Sequence, residues 1–469
     1  MFLYLAKLSG IGYGNVFTIL YICSCLFFTY SLKKIIKDKR MLIFILVILL
    51  FNPISYSSDL FQRLYRNSLS YVELLLFLGA TINILASKQN NILNYIFLGI
   101  IMSIMLLTKE DNIWTKIILI FIIICKLYKN LKIKNILITL IPIIVVILNL
   151  NIVSYLNYKH YNIYTYSELS NSYFKDAYTK ILQIKDDEKI DDQVAIPKSA
   201  FYKLADNSKV FGFSRKEIDN LYNLYATTNG EISNSNIIWV FRTWIYKKYD
   251  FKDGKEANEY FYKLSNEIDE LFKEEKLEKE FSFPLVFTNP PTLNSIKQLP
   301  KSFIEAIIYT STYKNIKTFP TDKMLKVFSF DKIVGAYSVN YYNAHTADNI
   351  IESNIEGIEA IRKTYEIFTV AFSIISLIIY IKNIRKKDIL NLILHIILII
   401  YLIIICGVTY THITAFDAIR YCYLGNIYIL QSIFILLNLY RLYKKYKEKE
   451  ESKVLESGEQ NGFSNNSGI

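Results

Sequence analysis

The sequence predicts a mainly α-helical, polytopic membrane protein: a transmembrane bundle of about nine spans, with a mainly helical extracytoplasmic domain inserted between spans six and seven. Three observations carry this. Of the 469 residues, 52% are hydrophobic, and they fall in long blocks rather than at the intervals of a globular core. Short charged or turn-forming stretches separate the blocks. The formal net charge of +12 belongs to the apolar part of the chain and its connections, not to the one long polar segment.

Apolar runs bounded by charge or turn residues place spans at 16–32, 41–56, 71–86, 92–107, 113–128, 136–155, 367–381, 389–410 and 421–439. Several lie near the lower length limit of about 17 residues. The fifth carries Lys116 and Lys126, whose aliphatic stems let the ammonium groups snorkel to opposite faces or turn into the bundle.

Threading these spans alternately through a bilayer sorts the connections by charge. One side receives "KKIIKDKR" (33–40), "SKQNN" (87–91), "KNLKIK" (129–134), "KNIRKK" (382–387) and the tail that begins at Arg441. Basic connections mark the cytoplasmic face. The other side receives 57–70, 108–112, 157–365 and 411–420, with the amino terminus outside and the carboxyl terminus in the cytoplasm. The expected divisions are 1–156 for spans one to six, 157–365 for the extracytoplasmic domain, 366–440 for spans seven to nine, and 441–469 for a basic and then disordered tail.

The long segment of about 209 residues holds 28 Lys and Arg against 29 Asp and Glu, leaving 26 basic and 13 acidic residues of the chain's 54 and 42 for the remainder. A near-neutral soluble region removes the case for nucleic acid as a partner. Within it, "GKEANEYFYKLSNEIDELFKEEKLEKE" (254–280) sets Phe261, Leu264, Ile268 and Leu271 on one helical face, as an amphipathic surface helix does. "NIIWVFRTWIYKKY" (236–249) suits core packing better than contact with the bilayer surface. "FPLVFTNPPTLNS" (283–295) reads as a Pro-broken loop, and no internal repeat is evident.

Cys23, Cys25, Cys125, Cys406 and Cys422 all fall in or beside spans, so the polar segment has no disulfide framework. Cys23 and Cys25 point to different helical faces. His160, His345, His395 and His412 show no metal-ligand spacing, and His395, inside a span, suits a hydrogen-bonded helix contact. There is no Walker loop, dinucleotide fingerprint or GxSxG, so nucleotide hydrolysis is not expected. The first apolar run lacks the flanks of a cleaved signal peptide and is expected to stay in the membrane.

Functional candidates lie in the outer connections. "LLTKEDNIWTK" (106–116) sets Lys109, Glu110 and Asp111 between two apolar runs, and "SSDLFQRLYRNSLSYVE" (57–73) adds Asp59, Arg63 and Arg66. "THITAFDAIRYCY" (411–423) contributes His412, Asp417 and Arg420. Arginine forks hold phosphates bidentately, and a carboxylate can take a proton from an acceptor hydroxyl or hold a divalent cation. From the residues alone, solvated interfacial charges that anchor helix ends are the stronger reading.

A resemblance tips that balance. The order of "LLFNP" (49–53), "DLFQRLYRNSLSYVELLLFLG" (59–79), "LGIIMSIMLLTKEDNIW" (98–114) and "AIRYCYLGNIYIL" (418–430) resembles the GT-C class of polytopic membrane glycosyltransferases. It is similar to bacterial members in which an Arg-rich outer segment precedes a span ending in an acidic turn and a Trp. The resemblance covers roughly 2–155 and the last spans. It implies transfer of a sugar from a polyprenyl-phosphate donor to a cell-envelope acceptor on the outer face of the cytoplasmic membrane. On that pattern Asp59, Glu110 and Asp111 are the catalytic candidates, and Arg63, Arg66, Lys109, Trp114, His412, Asp417 and Arg420 hold the substrate. The bilayer and the lipid-linked sugar are the partners, and a divalent cation is the one cofactor the chemistry invites. By that resemblance "YLAKLSGIGYGNVF" (4–17) looks like the entry to the family's second span, so either the first span and its acidic outer loop are expected upstream of Met1, or the catalytic acid is lost or supplied by Asp59, Glu110 or Asp111. Two alternatives stand beside it: an O-antigen-type polymerase or ligase working through outer arginines, and a non-catalytic envelope protein whose polar domain binds a partner.

Overall fold

The computed structural model describes residues 8–10, 13–57, 66–128, 131–186, 193–227, 229–280, 292–313, 316, 355–420 and 422–464. Among them the chain is helical, with one isolated antiparallel bridge between Ile184 and Lys279. In chain order the helices are α1 (Tyr13–Leu32), α2 (Lys39–Leu50), α3 (Asn67–Ala86), α4 (Ile92–Thr108), α5 (Trp114–Leu127), α6 (Ile133–Tyr161), α7 (Glu168–Asn171), α8 (Tyr173–Ile181), α9 (Lys198–Asn207), α10 (Arg215–Tyr225), α11 (Asn234–Tyr249), α12 (Gly254–Lys273), α13 (Leu293–Ser311), α14 (Ile355–Asn383), α15 (Ile389–Thr414) and α16 (Gly425–Ser464).

Each expected span overlaps a helix, and six of the described helices are long and apolar enough to cross a membrane: Asn15–Leu32, Lys39–Tyr56, Asn67–Ala86, Ile133–Tyr161, Glu356–Asn383 and Ile389–Thr414. The fourth and fifth expected spans form helices of 17 and 14 residues. The second breaks after Leu50, because Asn52 accepts from the Ile54 N–H and Pro53, with no N–H of its own, starts a separate 3-10 turn at Pro53–Tyr56. The sixth runs past its expected end to Tyr161, where Asn162 takes the left-handed conformation at φ 54° and its N–H closes on the Tyr158 carbonyl. The last helix extends through Ser464, beyond Glu451, where order was expected to end. Exposed pairs of Lys444 with Glu448 and Tyr446 with Glu450 lie in the turns that lead up to it.

The chain divides into two compact units: Met1–Gln89, Thr310–Leu402 and Gly425–Ile469 in the first, Asn90–Tyr309 and Ile403–Leu424 in the second. This division does not follow the expected boundary between spans and polar segment. Helices α4 to α6 group with most of 157–365, whereas residues from Thr310 onward group with the other apolar helices.

In the first unit α1 packs on α3 so closely that a Cβ at Gly79 would meet the Phe27 ring at 2.7 Å, the small-residue contact that brings membrane helices together. At one end Lys34 Nζ donates to the Asn83 carbonyl and Ser87 Oγ, and the Tyr443 hydroxyl donates to Asp38. At another, Asn52 Nδ2 donates to Ser432 Oγ at 3.0 Å, and Thr310, Tyr313 and Ile316 are buried. His395 bonds to the Asn391 carbonyl of its own helix and meets α14 through the Tyr380 ring, a ring contact in place of the expected hydrogen bond between helices. Cys23 is exposed and Cys25 buried, as their spacing requires.

In the second unit α4 packs on α6, with Asn149 Nδ2 donating to Ser103 Oγ and Asn90 Nδ2 to Asn135 Oδ1. Helices α8 to α12 enclose an aromatic core that includes Phe174, Phe201, Phe211, Phe241 and Phe261. On α12 the four expected residues Phe261, Leu264, Ile268 and Leu271 are all buried, each side chain contributing about 1.5–3 kcal/mol by leaving water. Helix α11 turns Ile237, Phe241 and Ile245 into the same core and packs Trp244, Tyr246 and Tyr249 against it, but leaves Trp239 47% exposed, so core packing accounts for most of its aromatic content and not for Trp239. The expected loop at 283–295 lies outside the described residues as far as 291.

Candidate functional site

The site in the second unit is built on the end of α4. Helix α4 stops because Lys109 takes an extended conformation, φ −154° and ψ 128°, and the chain enters a 3-10 turn at Glu110–Ile113. Asn112 fixes that stop. Its buried side chain donates to the Met105 carbonyl at 2.8 Å, a second donor beside the Lys109 N–H on the same oxygen. Thr115 Oγ1 returns to the Asn112 carbonyl at 2.8 Å, and Trp114 is buried at the start of α5.

This scaffold holds the three charges apart in role. Lys109 Nζ lies 2.5 Å from Asp111 Oδ2, with the lysine side chain 14% and the aspartate 62% exposed. Glu110 Oε1 accepts from Ser167 Oγ at 3.2 Å. The amphipathic Lys109 thus shields its stem and presents its ammonium at the edge.

The 411–424 connection meets the same turn. Lys109 Nζ sits 5.1 Å over the Tyr423 ring, near enough for a cation–π attraction of about 0.5–1 kcal/mol. Phe416 packs edge-on to Tyr423 with centroids 5.4 Å apart. The connection is tight: the Ala415 and Phe416 N–H groups both return to the Thr411 carbonyl. Asn234 of α11 donates to the Thr414 carbonyl at 3.1 Å in a buried contact. His412 Nδ1 lies 3.1 Å from Asp417 Oδ1, with side chains 20% and 40% exposed.

Six of the ten expected residues therefore lie in this unit with described side chains: Lys109, Glu110, Asp111, Trp114, His412 and Asp417. Arg420 is in the adjoining 3-10 turn Ala418–Arg420, its side chain outside the described residues. Asp59 and Arg63 lie outside the described residues altogether, and Arg66 caps α3 in the first unit without a side-chain cap hydrogen bond. Trp114 is a buried packing group, because the first turn of α5 points it inward. Ser167, Asn234 and Tyr423 were not singled out by sequence. Only Tyr423, three residues beyond Arg420, carried any signal.

Chemically the site offers one cation over an aromatic face, two carboxylates in a turn and an imidazole beside a third carboxylate. Among the described residues no group of three or more His, Cys, Asp or Glu gathers to hold a metal ion. Comparisons with protein-family models, with curated proteins and with solved structures find no match to this chain.

Proposed function

We propose that this chain is a membrane glycosyltransferase-like protein that moves a sugar from a polyprenyl-phosphate donor to a cell-envelope acceptor on the outer face of the bacterial cytoplasmic membrane. The observation that carries the reading is the placement of Lys109, which joins the turn after α4 to the 411–424 connection while Asp111 stands beside it. A lipid phosphate needs a cation at a helix end, and a sugar transfer needs a carboxylate within reach.

The reading includes a finer topology: nine helices cross the bilayer, 157–365 is extracytoplasmic, the amino terminus is outside and the carboxyl terminus is cytoplasmic. Contacts among the basic connections support it. In the first unit Asp38 pairs with Tyr443, and Asp388 with Arg441, so 33–40, 382–387 and the basic part of α16 share one end, as a cytoplasmic face would.

In the reaction, the acceptor hydroxyl oxygen attacks the anomeric carbon as the bond to the phosphate oxygen breaks. The bonding pair leaves on the polyprenyl phosphate, where Lys109 offsets the charge. The hydroxyl proton passes to a carboxylate of the turn, Glu110 or Asp111.

The test is transfer by the full-length protein in nanodiscs, given a panel of radiolabelled polyprenyl-phosphate sugars and a cell-envelope fraction. The expected result is donor consumption with label entering the envelope fraction, lowered about a hundredfold or more when the responsible carboxylate is neutralised by Glu110→Gln or Asp111→Asn. Donor left intact by the wild type across the panel overturns the proposal.

A further inference from the structure

Helix α14 carries Arg362, Tyr365, Thr369, Ser373, Ser376 and Tyr380 at steps of three and four, which puts them on one face. Tyr365, Thr369, Ser376 and Tyr380 are buried. Helix α16 answers with Tyr428, Gln431, Ser432, Asn438 and Arg441, also buried. The two faces meet where Gln431 Nε2 donates to Ser373 Oγ at 3.0 Å and where Tyr380 packs on Phe434 with centroids 5.4 Å apart. Both lie in the first unit, and α14 is one of the helices apolar enough to cross a membrane. From Tyr428 to Arg441 the face runs about 20 Å along the axis at 1.5 Å per residue.

Hydroxyls and amides between membrane helices ordinarily bond to one another, and here four do not. Gln431 Oε1, Asn438 Oδ1, Ser376 Oγ and Thr369 Oγ1 are buried and have no hydrogen-bond partner among the described residues. Reversing the amides does not remove the problem. Gln431 Nε2 already serves Ser311 Oγ and Ser373 Oγ, so a reversed amide leaves its NH₂ donors open instead. Asn438 Nδ2 donates to the Phe434 carbonyl at 2.9 Å, a contact the amide oxygen cannot replace. Four unmet buried groups along one seam cost more than the bonds they accompany supply, and more still away from water.

The ends of the seam differ. At one, Tyr313 is buried beside Asn52 and Ser432, and the backbone carbonyls of Thr312 and Tyr313 accept from Arg362 Nη1. At the other, Arg441 pairs with Asp388, which is 47% exposed. We propose that the α14–α16 seam binds a file of water molecules reaching in from the Arg441–Asp388 end as far as Gln431, with Tyr313 closing the far end. Water supplies the donors that Gln431 and Asn438 require and a partner for the Ser376 and Thr369 hydroxyls. The seam is then a hydrated half-channel within an otherwise apolar helical unit.

Hydroxyl-radical footprinting of the full-length protein in nanodiscs tests this, since radicals formed from internal water label the side chains that touch it. Tyr380 on the seam is compared with Tyr71, equally buried in the same unit but packed edge-on against Phe17 and Tyr21. The expected result is oxidation of Tyr380 at least fivefold faster than Tyr71, and a fall toward the Tyr71 rate in the Ser376→Ala/Gln431→Leu double variant. Tyr71, in the same unit as the substitutions, reports whether that variant is folded, since its own rate should not rise. Should the variant unfold, the wild-type comparison decides alone. Equal rates at Tyr380 and Tyr71 in the wild type overturn the proposal.

Discussion

Arg441 Nη2 donates to both carboxylate oxygens of Asp388, at 2.9 and 3.1 Å, while Nη1 reaches Asn391 Oδ1 at 3.2 Å. One guanidinium thus ties the far part of α16 to the connection before α15. The arginine is 9% exposed and the aspartate 47%, so the two partners differ in what their loss costs. Arg441→Met should destabilise the protein by about 1–3 kcal/mol, because Asn391 loses a charged donor in a buried place. Asp388→Asn should cost more, about 3 kcal/mol, because it leaves the nearly buried Arg441 guanidinium without its counter-charge. Thermal unfolding in a single detergent checks the order of the two.

Gly99 lies where α4 meets α6, and a Cβ there would meet Val145 Cβ at 2.7 Å and the Pro142 backbone at 3.0 Å. The backbone cannot yield as a side chain can. Gly99→Ala should therefore lower stability by about 1–3 kcal/mol through overpacking, read as a lower unfolding temperature. Gly230→Ala serves as its contrast: nothing stands within 4 Å of the added methyl there, but φ is +77°, so any loss reflects backbone strain alone.

Acid should weaken the polar segment at an identifiable point. Lys248 Nζ donates to Glu217 at 2.7 Å, and the Ser214 N–H caps the same carboxylate. These contacts pull the Glu217 carboxyl down to about 2. A depressed folded-state pKa contributes stability that is full above the unfolded value of about 4.3 and fades as pH falls toward the folded one. The pair is partly solvated, so under about 1 kcal/mol is at stake. The unfolding-temperature gap between wild type and Glu217→Gln should be constant above about pH 5 and shrink steadily below it. A gap that widens on acidification contradicts the assignment.

Within the site, Lys109→Ala should weaken donor binding more than Lys109→Arg, since the second variant keeps a cation over Tyr423. Glu110→Gln and Asp111→Asn should leave binding nearly intact and lower turnover. If turnover survives both while Lys109→Ala abolishes it, the polymerase or ligase chemistry that works through cations alone becomes the better account. Titration of labelled donor against each nanodisc-embedded variant separates the two effects.

How much of this was legible in the sequence differs by element. The α12 face was fully so, because a 3.6-residue period of Phe261, Leu264, Ile268 and Leu271 has one physical solution. The break after Leu50 was written in "NP", but an apolar run on both sides of it masks a helix end. The division into two units was not legible, since which helices pair depends on complementary surfaces such as Gly79 against Phe27 and Gly99 against Pro142. In the site, the charged turn was visible as charge out of place between apolar runs. Its partners Ser167 and Asn234 were not, because a lone hydroxyl or amide in a polar segment carries no pattern until the fold brings it close.

The central claim is that the Lys109 turn and the Tyr423 connection form one site for a lipid-linked phosphate. Native mass spectrometry of the nanodisc-embedded protein with a polyprenyl-phosphate sugar measures it most directly. The account predicts one donor retained per chain by the wild type, and affinity lowered at least tenfold in the Lys109→Ala/Tyr423→Ala double variant while Glu217→Gln binds normally. Equal retention by wild type and double variant, or none by the wild type, contradicts it.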